Sequence, residues 1–428
     1  MATGNTRVTV STAQLEGFVA PGFETVSHVV EKMALPWGRG GGGISAYVGG
    51  ELVLDLWGGH SAQGVPWAAD TLAPIASISK GWTACVVHKL VEQGVLDFTT
   101  PICQWWPEFA AHGKQAISLR EVFLHTAGVL GFKDQLALLD AGGLGSNWAS
   151  YDAIAAGLAD ARPAWKPGTK SGYHAVSFGW LVQEVVRRAT GRTVGDIFRT
   201  DFVEPLELDT YLGNLGPNYG RVAKVLSADT TAMPWIQRKL MASMTTRTSD
   251  PTTIPGLALL GDGNSSILDR AEDYIASPEW LESEVPASNG VTTPRSLAKL
   301  YAALAAGGSL DGVTVLQPES VELMHKVQCS MADEVMAKGM PFALRLAAPR
   351  ARFGTYGLAA NTRFRGKWAL GPHPEAFASG GFGGQFVMGD PVANVSLAST
   401  CTDFTPGLDK LVYGVREALY AAIDQPRS

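Results

Sequence analysis

Alternating apolar residues near both ends of the chain predict β-hairpins. In residues 44–57, ISAYVGGELVLDLW, two alternating runs flank Gly49-Gly50, a pair that tolerates the positive φ angles of a tight turn. A second hairpin is predicted where residues 384–389 and 394–400 flank an Asp-Pro turn. The predicted strands therefore come from the two ends of the sequence.

Apolar residues at helical spacing predict helices beside and between these strands. The predicted helices span residues 16–33, 78–92, 176–190, 294–306 and 407–422. The helix at 176–190 is the clearest of those that follow the first hairpin, and the helix at 78–92 carries its apolar residues on one stripe. That stripe consists of Ile78, Trp82, Cys85, Val86 and Leu90.

The order helix, hairpin, helical middle, strands, helix predicts an α+β fold, with an antiparallel sheet assembled from both chain ends. With 428 residues, the chain is long enough for two lobes. We expect residues 1–75 and 287–428 to form an α/β lobe with the antiparallel sheet, and residues 76–286 to form a mainly helical lobe. Residues 214–286, rich in Pro, Thr, Ser and Met, are expected to be a lid-like insertion.

Composition excludes several classes of partner. The net charge is -6 and there is no Lys/Arg-rich run, which argues against nucleic acid. No apolar stretch approaches the ~18 residues of a membrane span, and the first residues do not resemble a secretory signal. The scattered cysteines predict free thiols in a cytoplasmic protein and no metal site. They are Cys85, Cys103, Cys329 and Cys401.

The glycine cluster at residues 38–43 matches a dinucleotide-binding fingerprint by spacing alone. That fingerprint requires a preceding strand and a following helix, whereas this cluster follows ALPW and precedes a predicted strand. We therefore interpret it as a loop. The chain also lacks a Gly-x-Ser-x-Gly elbow and a His-Glu-x-x-His motif, which argues against α/β-hydrolases and zinc proteases.

Ser-x-x-Lys occurs twice, at Ser77–Lys80 and at Ser296–Lys299. On a helix, residues i and i+3 share a face, so the lysine can reach the serine hydroxyl. A buried lysine has a lowered pKa and can act as a general base. Ser77 follows the apolar run LAPIA and opens a helix that is expected to be buried. Ser296 lies in the first turn of another helix and is interpreted as a polar residue near a helix start.

Five segments, in order between about residues 40 and 420, resemble motifs of the serine β-lactamase and penicillin-binding superfamily. The resemblance is strongest to its β-lactamase-like carboxylesterases and related acyltransferases, and it implies the serine β-lactamase/DD-peptidase-like fold. The segments are TLAPIASISKGWTACVVHKLVE (71–92), SLREVFLHTAG (118–128), WKPGTKSGYHA (165–175), PASNG (286–290) and SGGFGG (379–384).

The resemblance implies a role for individual residues. Ser77 would be the nucleophile, Lys80 its base and Tyr173 a proton shuttle to the leaving group. The oxyanion hole would consist of the backbone N–H groups of Ser77 and Phe382. The substrate-binding candidates are His174, Ser379, Gly380 and Gly381. His125 is an alternative base, although its position is structural in the family.

Two departures from the family pattern direct the functional expectation. Penicillin-interacting members carry Tyr-x-Asn, where this chain has Tyr173-His174-Ala175, and they open the third motif with Lys or His, where it has Ser379. We therefore expect a serine hydrolase that acts on esters through a Ser77 acyl-enzyme, with no cofactor.

Two alternatives to ester hydrolysis stay open. One is an acyltransferase that delivers the acyl group to an alcohol or amine in natural-product synthesis. The other is a non-catalytic binding descendant of the fold. The expected partners are a small-molecule acyl donor and water or a small acceptor, and the oligomeric state is left open. The methionine and tryptophan side chains of the lid-like segment are compatible with two roles, lining a pocket for the acceptor or simply packing the lid. These residues are Met233, Trp235, Met241, Met244 and Trp280.

Overall fold

A computed structural model shows the arrangement of the chain. It describes residues 7–12, 14–33, 39–132, 135, 151–227, 235–339, 354–364, 367–403 and 409–424. Part of the predicted last helix and Met233 lie outside these residues. The side chain of Met241 also lies outside what is described.

The main element is an antiparallel sheet in the order β1-β2-β4-β3-β16-β15-β14-β11, with β5 paired to β4. Its centre joins the two chain ends, because β16 pairs with β3 and places Leu397 opposite Ala46. Both predicted hairpins, β3–β4 and β15–β16, are confirmed. The strands of this sheet are β1 Val8–Ser11, β2 Glu16–Val19, β3 Gly41–Val48, β4 Glu51–Ala62, β5 Val65–Pro66, β11 Ala359–Ala360, β14 Phe377–Gly381, β15 Gln385–Asp390 and β16 Val395–Cys401.

Among the described residues, shorter strands form three small sheets, of which one lies beside the helix that begins at Ser79. In that sheet, the strand at residue 290 pairs with the strands at residues 73 and 210. The members of the three small sheets are β6 Ala73–Pro74, β7 Thr210–Leu212 and β8 Gly290–Thr292, then β9 Ser309–Leu310 with β10 Val313–Thr314, and β12 Arg363–Phe364 with β13 Lys367–Trp368.

Helices cover both faces of the main sheet. The helices are α1 Glu24–Met33, α2 Ser79–Glu92, α3 Leu119–Phe123, α4 Tyr151–Asp160, α5 Ser177–Thr190, α6 Val194–Phe198, α7 Trp235–Ser249, α8 Ile254–Ala258, α9 Ala271–Tyr274, α10 Pro278–Glu282, α11 Pro294–Ala305, α12 Pro318–His325, α13 Glu334–Gly339 and α14 Asp409–Ile423. Helices α1 and α14 contact each other, and both bury apolar residues against one face. Helix α11 packs on the other face, beside β3 and β16.

Two predictions about the N-terminal segment are wrong, and glycine is the reason in each case. Residues 16–33 form β2 followed by α1 rather than one helix. Gly17 has φ +129° and its backbone abuts the carbonyl of Asp55, where a Cβ would lie 2.0 Å from the oxygen. The glycine cluster does not form a loop throughout, because Gly41–Gly43 open β3, and Gly43 leaves room for Pro294 of α11.

The predicted helix at residues 78–92 is confirmed as α2, but it is buried on nearly every side rather than along one stripe. Trp82 stacks on Phe198 with ring centroids 4.9 Å apart. The expected α+β fold with an antiparallel sheet is confirmed, whereas the proposed lobe boundaries stay a prediction. Among the described residues, no helix combines the length and apolar character needed to cross a membrane.

Candidate active site

Ser77 lies in a tight turn at the start of the buried helix α2. A 3-10 turn spans Ala76–Ile78, and Ala76 has φ +46°, in the left-handed region that non-glycine residues rarely adopt. The hydroxyl of Ser79 supports the turn, since it donates to the Ala76 carbonyl at 2.6 Å and accepts the N–H of Gly290 at 3.0 Å. Ser77 therefore stands at the helix N-terminus, where the helix dipole favours negative charge.

Lys80 points at Ser77 from one turn further along. Its Nζ lies 3.4 Å from Ser77 Oγ, 2.6 Å from the Ala175 carbonyl oxygen and 2.9 Å from that of Ala287. The side chain is buried, and loss of hydration lowers the pKa of Lys80 well below its usual range. A neutral amine has two N–H groups, which the two carbonyls accept. Its lone pair is then left to face the Ser77 hydroxyl.

Tyr173 contacts the same hydroxyl. The hydroxyls of Tyr173 and Ser77 share a hydrogen bond, and Lys80 Nζ lies 4.8 Å from the tyrosine ring centroid. Burial raises the pKa of Tyr173 to about 12. The phenol therefore keeps its proton near neutral pH and can donate it, while Lys80 is the group that can accept one. The structure brings the three predicted catalytic residues together.

The two histidines beside Tyr173 are poorly suited to act as bases. Burial lowers the pKa of His125 well below its usual range and that of His174 to about 4. His125 Nδ1 already accepts the backbone N–H of His174, and His174 Nδ1 donates to the Gly172 carbonyl. His174 is fully buried and is not among the described residues that line the cavity over Ser77, which gives no support to its predicted contact with substrate.

A small cavity opens over Ser77, Lys80 and Tyr173. Its volume is about 80 Å³, and no carboxylate occurs among the described residues that line it. Ser379 and Gly380 form one wall. The apolar part of the lining comes from Phe123, Phe178, Gly357, Ala359 and Ala378. The cavity therefore suits a small, uncharged group.

The predicted substrate residue Ser379 is held by a buried tyrosine. The hydroxyl of Tyr301, on α11, donates to Ser379 Oγ at 2.7 Å. Burial raises the pKa of Tyr301, so this hydroxyl stays protonated. Ser379 accepts from Tyr301 and keeps its own proton available to donate elsewhere. Gly81 of α2 makes room for this pair, because a Cβ there would lie 2.7 Å from the Tyr301 hydroxyl oxygen.

The end of β14 lies against the turn that carries the nucleophile. At Gly381 a Cβ would lie 2.2 Å from the carbonyl oxygen of Ile75, two residues before Ser77. Phe382 follows Gly381 directly, and its side chain is 39% exposed. The absence of a side chain at Gly381 thus allows the backbones of β14 and the Ser77 turn to approach closely. The assignment of the Ser77 and Phe382 N–H groups as the oxyanion hole stays a prediction.

Comparisons with known proteins show the family of this chain. The family model described as Beta-lactamase matches residues 29–421. The chain belongs to the beta-lactamase family. It is similar to the esterase/beta-lactamase LipL of Mycobacterium tuberculosis, with 33% identity over 314 residues that cover 71% of this chain and 68% of that protein.

Two solved structures extend the similarity over nearly the whole chain. The crystal structure of a family VIII carboxylesterase superposes with a TM-score of 0.76 and 28% identity, covering 96% of this chain and 100% of that one. A penicillin-binding protein homologue from Caulobacter crescentus superposes with a TM-score of 0.74 and 29% identity, at the same coverage. The expected β-lactamase/DD-peptidase-like fold is thereby confirmed.

The second Ser-x-x-Lys of this beta-lactamase family member lies elsewhere. Ser296 Oγ accepts the N–H of Asp209 at 2.9 Å and the hydroxyl of Thr293 at 3.0 Å. Ser296 and Lys299 line a separate cavity of about 250 Å³ whose walls carry several charged side chains. Ser296 therefore has a role in the first turn of α11, as its sequence context predicts.

Sequence reasoning missed the backbone groups that hold the lysine. The PASNG segment resembled a family turn without a stated role, yet its Ala287 carbonyl contacts Lys80. Thr83 of α2 ties the same segment down by donating to the Pro286 carbonyl at 2.6 Å. Every residue has a backbone carbonyl, so the residue types alone could not predict this contact, and only the motif could have indicated it.

Proposed function

We propose that this protein hydrolyses esters through an acyl-enzyme on Ser77. The observation that carries the proposal is that Ser77 Oγ lies 3.4 Å from Lys80 Nζ and also shares a hydrogen bond with the phenol of Tyr173. A weak serine nucleophile requires an adjacent base, and a buried lysine is such a base when it is neutral. Membership of a family that includes an esterase relative supports the same reaction.

In the acylation step, Lys80 takes the proton of the Ser77 hydroxyl as Oγ attacks the ester carbonyl carbon. Charge develops on the carbonyl oxygen, and the N–H groups of Ser77 and Phe382 would stabilise it. Tyr173 donates its proton to the leaving alkoxide as the C–O bond breaks, and protonated Lys80 restores that proton. In deacylation, neutral Lys80 takes a proton from the attacking water. It returns that proton to Ser77 Oγ as the bond between Oγ and the acyl carbon breaks and the acid is released.

The cavity favours a short acyl group without charge. Its volume of about 80 Å³ is smaller than the ~150 Å³ of a cavity that holds benzene. Besides the catalytic candidates and His125, the described lining offers apolar side chains and the hydroxyls of Ser379 and Thr355, and Lys80 is its one lysine or arginine. An ester of a small neutral acid meets these conditions, whereas a substrate that needs its carboxylate bound does not.

Transfer of the acyl group to an alcohol or amine uses the same first step and differs only in what attacks the acyl-enzyme. The described tryptophans of the lid-like segment do not support a dedicated acceptor pocket there. Trp280 is buried and packs on Tyr274 with centroids 4.8 Å apart, and Trp235 is largely exposed. Hydrolysis is therefore the proposed reaction, and transfer is a second activity of the same intermediate. A purely binding role leaves the lowered pKa of Lys80 beside Ser77 without a purpose.

The proposed enzyme acts in the cytoplasm. Its partners are small molecules, namely the acyl donor and water. The four cysteines are free thiols, which supports a reducing compartment. Localisation of the tagged full-length chain by fractionation tests this placement.

The decisive experiment labels the nucleophile. A fluorophosphonate probe should modify Ser77, and Ser77→Ala should lower kcat at least ~10³-fold, the scale for one member of a catalytic unit. Ser296→Ala is the matched control. It should keep kcat and lose only about 1 kcal/mol of stability with its hydrogen bond to the Asp209 N–H. Labelling at Ser296, or a fully active Ser77→Ala enzyme, would contradict the proposal.

A further inference from the structure

A buried carboxylate that the mechanism does not use lies next to the loop of Tyr173. Asp333 is 4% exposed. Its backbone pairs with that of Ser171 in a parallel bridge, and the following residue, Glu334, donates its N–H to the Ser171 carbonyl at 2.8 Å. Asp333 is therefore attached to the chain two residues before Tyr173.

The carboxylate of Asp333 is stabilised by backbone N–H groups. Oδ1 accepts the N–H of Val335 at 2.9 Å and that of Met336 at 2.7 Å, and so caps the start of α13. Burial raises the pKa of Asp333, and hydrogen bonds from the backbone N–H groups of Met336, Tyr173 and Val335 oppose this rise. Oδ2 is buried and accepts no hydrogen bond of ordinary geometry.

Apolar packing holds α13 against the same loop. Val335 is buried in a small cluster with Leu130, Trp165 and Ala258, and Tyr173 packs against this cluster. Gly172 lies in between, and a Cβ there would come within 2.5 Å of the Trp165 ring and 3.2 Å of Val335. There is consequently little room for the Tyr173 loop to shift while α13 is in place.

We propose that Asp333 is a positioning residue that fixes the backbone of Tyr173 and so directs the phenol's proton to the leaving group. Burial is the main cause of the raised pKa of Tyr173, and the negative charge of Asp333 acts in the same direction. The other titratable groups around the phenol are Lys80, His125 and His174, while Glu334 faces Asp333. Among these, Asp333 supplies the negative charge that opposes premature loss of the proton.

This inference rests on the proposed ester hydrolysis, and it is tested by comparing leaving groups. An alkyl ester releases an alkoxide that must be protonated, whereas a nitrophenyl ester releases a stable anion. Asp333→Asn keeps an oxygen for the two N–H groups of α13 but removes the charge. We expect kcat to fall about tenfold for the alkyl ester, part of the ~10²–10⁴-fold range of a whole acid–base group, and at most about twofold for the nitrophenyl ester.

Two further variants separate the contact of Asp333 with Tyr173 from the loss of any nearby charge. Glu334→Gln removes the neighbouring charge without touching the Tyr173 backbone and should leave both rates unchanged. Val335→Ala loosens the packing that holds the Tyr173 loop and should lower the alkyl-ester rate by a larger factor than the nitrophenyl-ester rate. In a Tyr173→Phe background, Asp333→Asn should have less than about a twofold effect, because residues that act as a unit are not additive.

The ratio of the two rates does not depend on how much enzyme is folded, so it stays informative if Asp333→Asn is unstable. An unchanged ratio in Asp333→Asn, or a full additional loss in the Tyr173→Phe background, would overturn the inference. Fluorophosphonate titration of Ser77 distinguishes a failure of the role proposed for Asp333 from a failure of the proposed ester hydrolysis. Normal labelling with an unchanged ratio contradicts only the role of Asp333, whereas absent labelling in the unmodified enzyme contradicts the proposed function.

Discussion

The amine nitrogen of Lys80 lies 3.4 Å from the hydroxyl oxygen of Ser77, farther than from either of the two carbonyl oxygens that it also contacts. This ordering of distances fits a neutral amine. The carbonyls fix its two N–H groups, and the longer contact is the one across which a proton can pass to the lone pair. The same atoms would hold an ammonium group if Lys80 were charged, but its burial opposes that state.

Replacement of Lys80 by arginine should be nearly as damaging as replacement by alanine. A guanidinium stays protonated and cannot accept the Ser77 proton. We expect both variants to lose at least ~10³-fold in kcat for a small ester, the scale for a catalytic-unit member. Lys299→Arg, in the second Ser-x-x-Lys, is the control and should retain full activity. An active Lys80→Arg enzyme would show that the base is another group.

The pH profile follows from the same lysine. Only its neutral form accepts a proton, so activity should rise with pH as Lys80 loses its proton. Because burial lowers the pKa of Lys80, this rise should occur well below the usual range of a lysine. Measurement of kcat against pH checks the direction. A rise confined to the ordinary lysine range near pH 10.4 would mean that the side chain is hydrated in the working enzyme.

Tyr173→Phe should slow substrates according to their leaving group. Loss of one acid–base group costs about 10²–10⁴-fold, and we expect that loss for alkyl esters, whose alkoxide needs the phenol proton. Nitrophenyl esters should lose far less. Tyr151→Phe removes a hydroxyl that donates to the Glu284 carbonyl, away from the cavity, and should change neither rate. Equal losses for both ester classes would argue against proton donation by Tyr173.

The proposed catalytic residues could be predicted from the sequence because their signal is local. Helical spacing and sequence context suggested Ser77 and Lys80, and the resemblance of a motif to the family suggested Tyr173. The carbonyls of Ala175 and Ala287 could not be predicted, since every residue type supplies one. Asp333 also carries no motif, and its importance arises only when the chain brings it beside Ser171. Long-range packing of this kind depends on the whole fold.

The close approach of Gly381 to Ile75 leads to a further prediction. A Cβ at Gly381 would lie 2.2 Å from the Ile75 carbonyl oxygen, so Gly381→Ala must displace β14 from the nucleophile turn. If the Phe382 N–H belongs to the oxyanion hole, kcat should fall about 10²–10³-fold, as for loss of one such donor. Gly220→Ala, where a Cβ meets nothing within 4 Å, is the control. A fully active Gly381→Ala enzyme would remove Phe382 from the mechanism.

β-Lactam turnover should be weak compared with ester turnover. Ser379 provides a neutral hydroxyl where penicillin-interacting members of the family carry Lys or His. A charge-assisted hydrogen bond to a carboxylate is roughly twice as strong as a neutral one, so this site holds such a substrate less well. The comparison is kcat/KM for nitrocefin against that for a nitrophenyl ester of a short acid. Equal efficiency would contradict the proposed preference for uncharged acyl groups.

The last prediction concerns the fate of the acyl-enzyme. Once Ser77 is acylated, water and any small acceptor in the cavity compete for the same carbonyl carbon. An acceptor that is held against it gains a large effective concentration, worth up to ~7–11 kcal/mol in ideal cases. The side chains of Phe123 and Phe178 line the cavity and suit the apolar part of a short alcohol or amine. We therefore expect transfer to added alcohols or amines alongside hydrolysis, measured as the ratio of transfer product to free acid at rising acceptor concentration with one activated ester.

Ser77→Ala is the control for uncatalysed reaction and should form neither product above background. If free acid accounts for all product at every acceptor concentration, across alcohols and amines, transfer is not an activity of this site and only hydrolysis is left, because the acyl-enzyme then reacts with water alone.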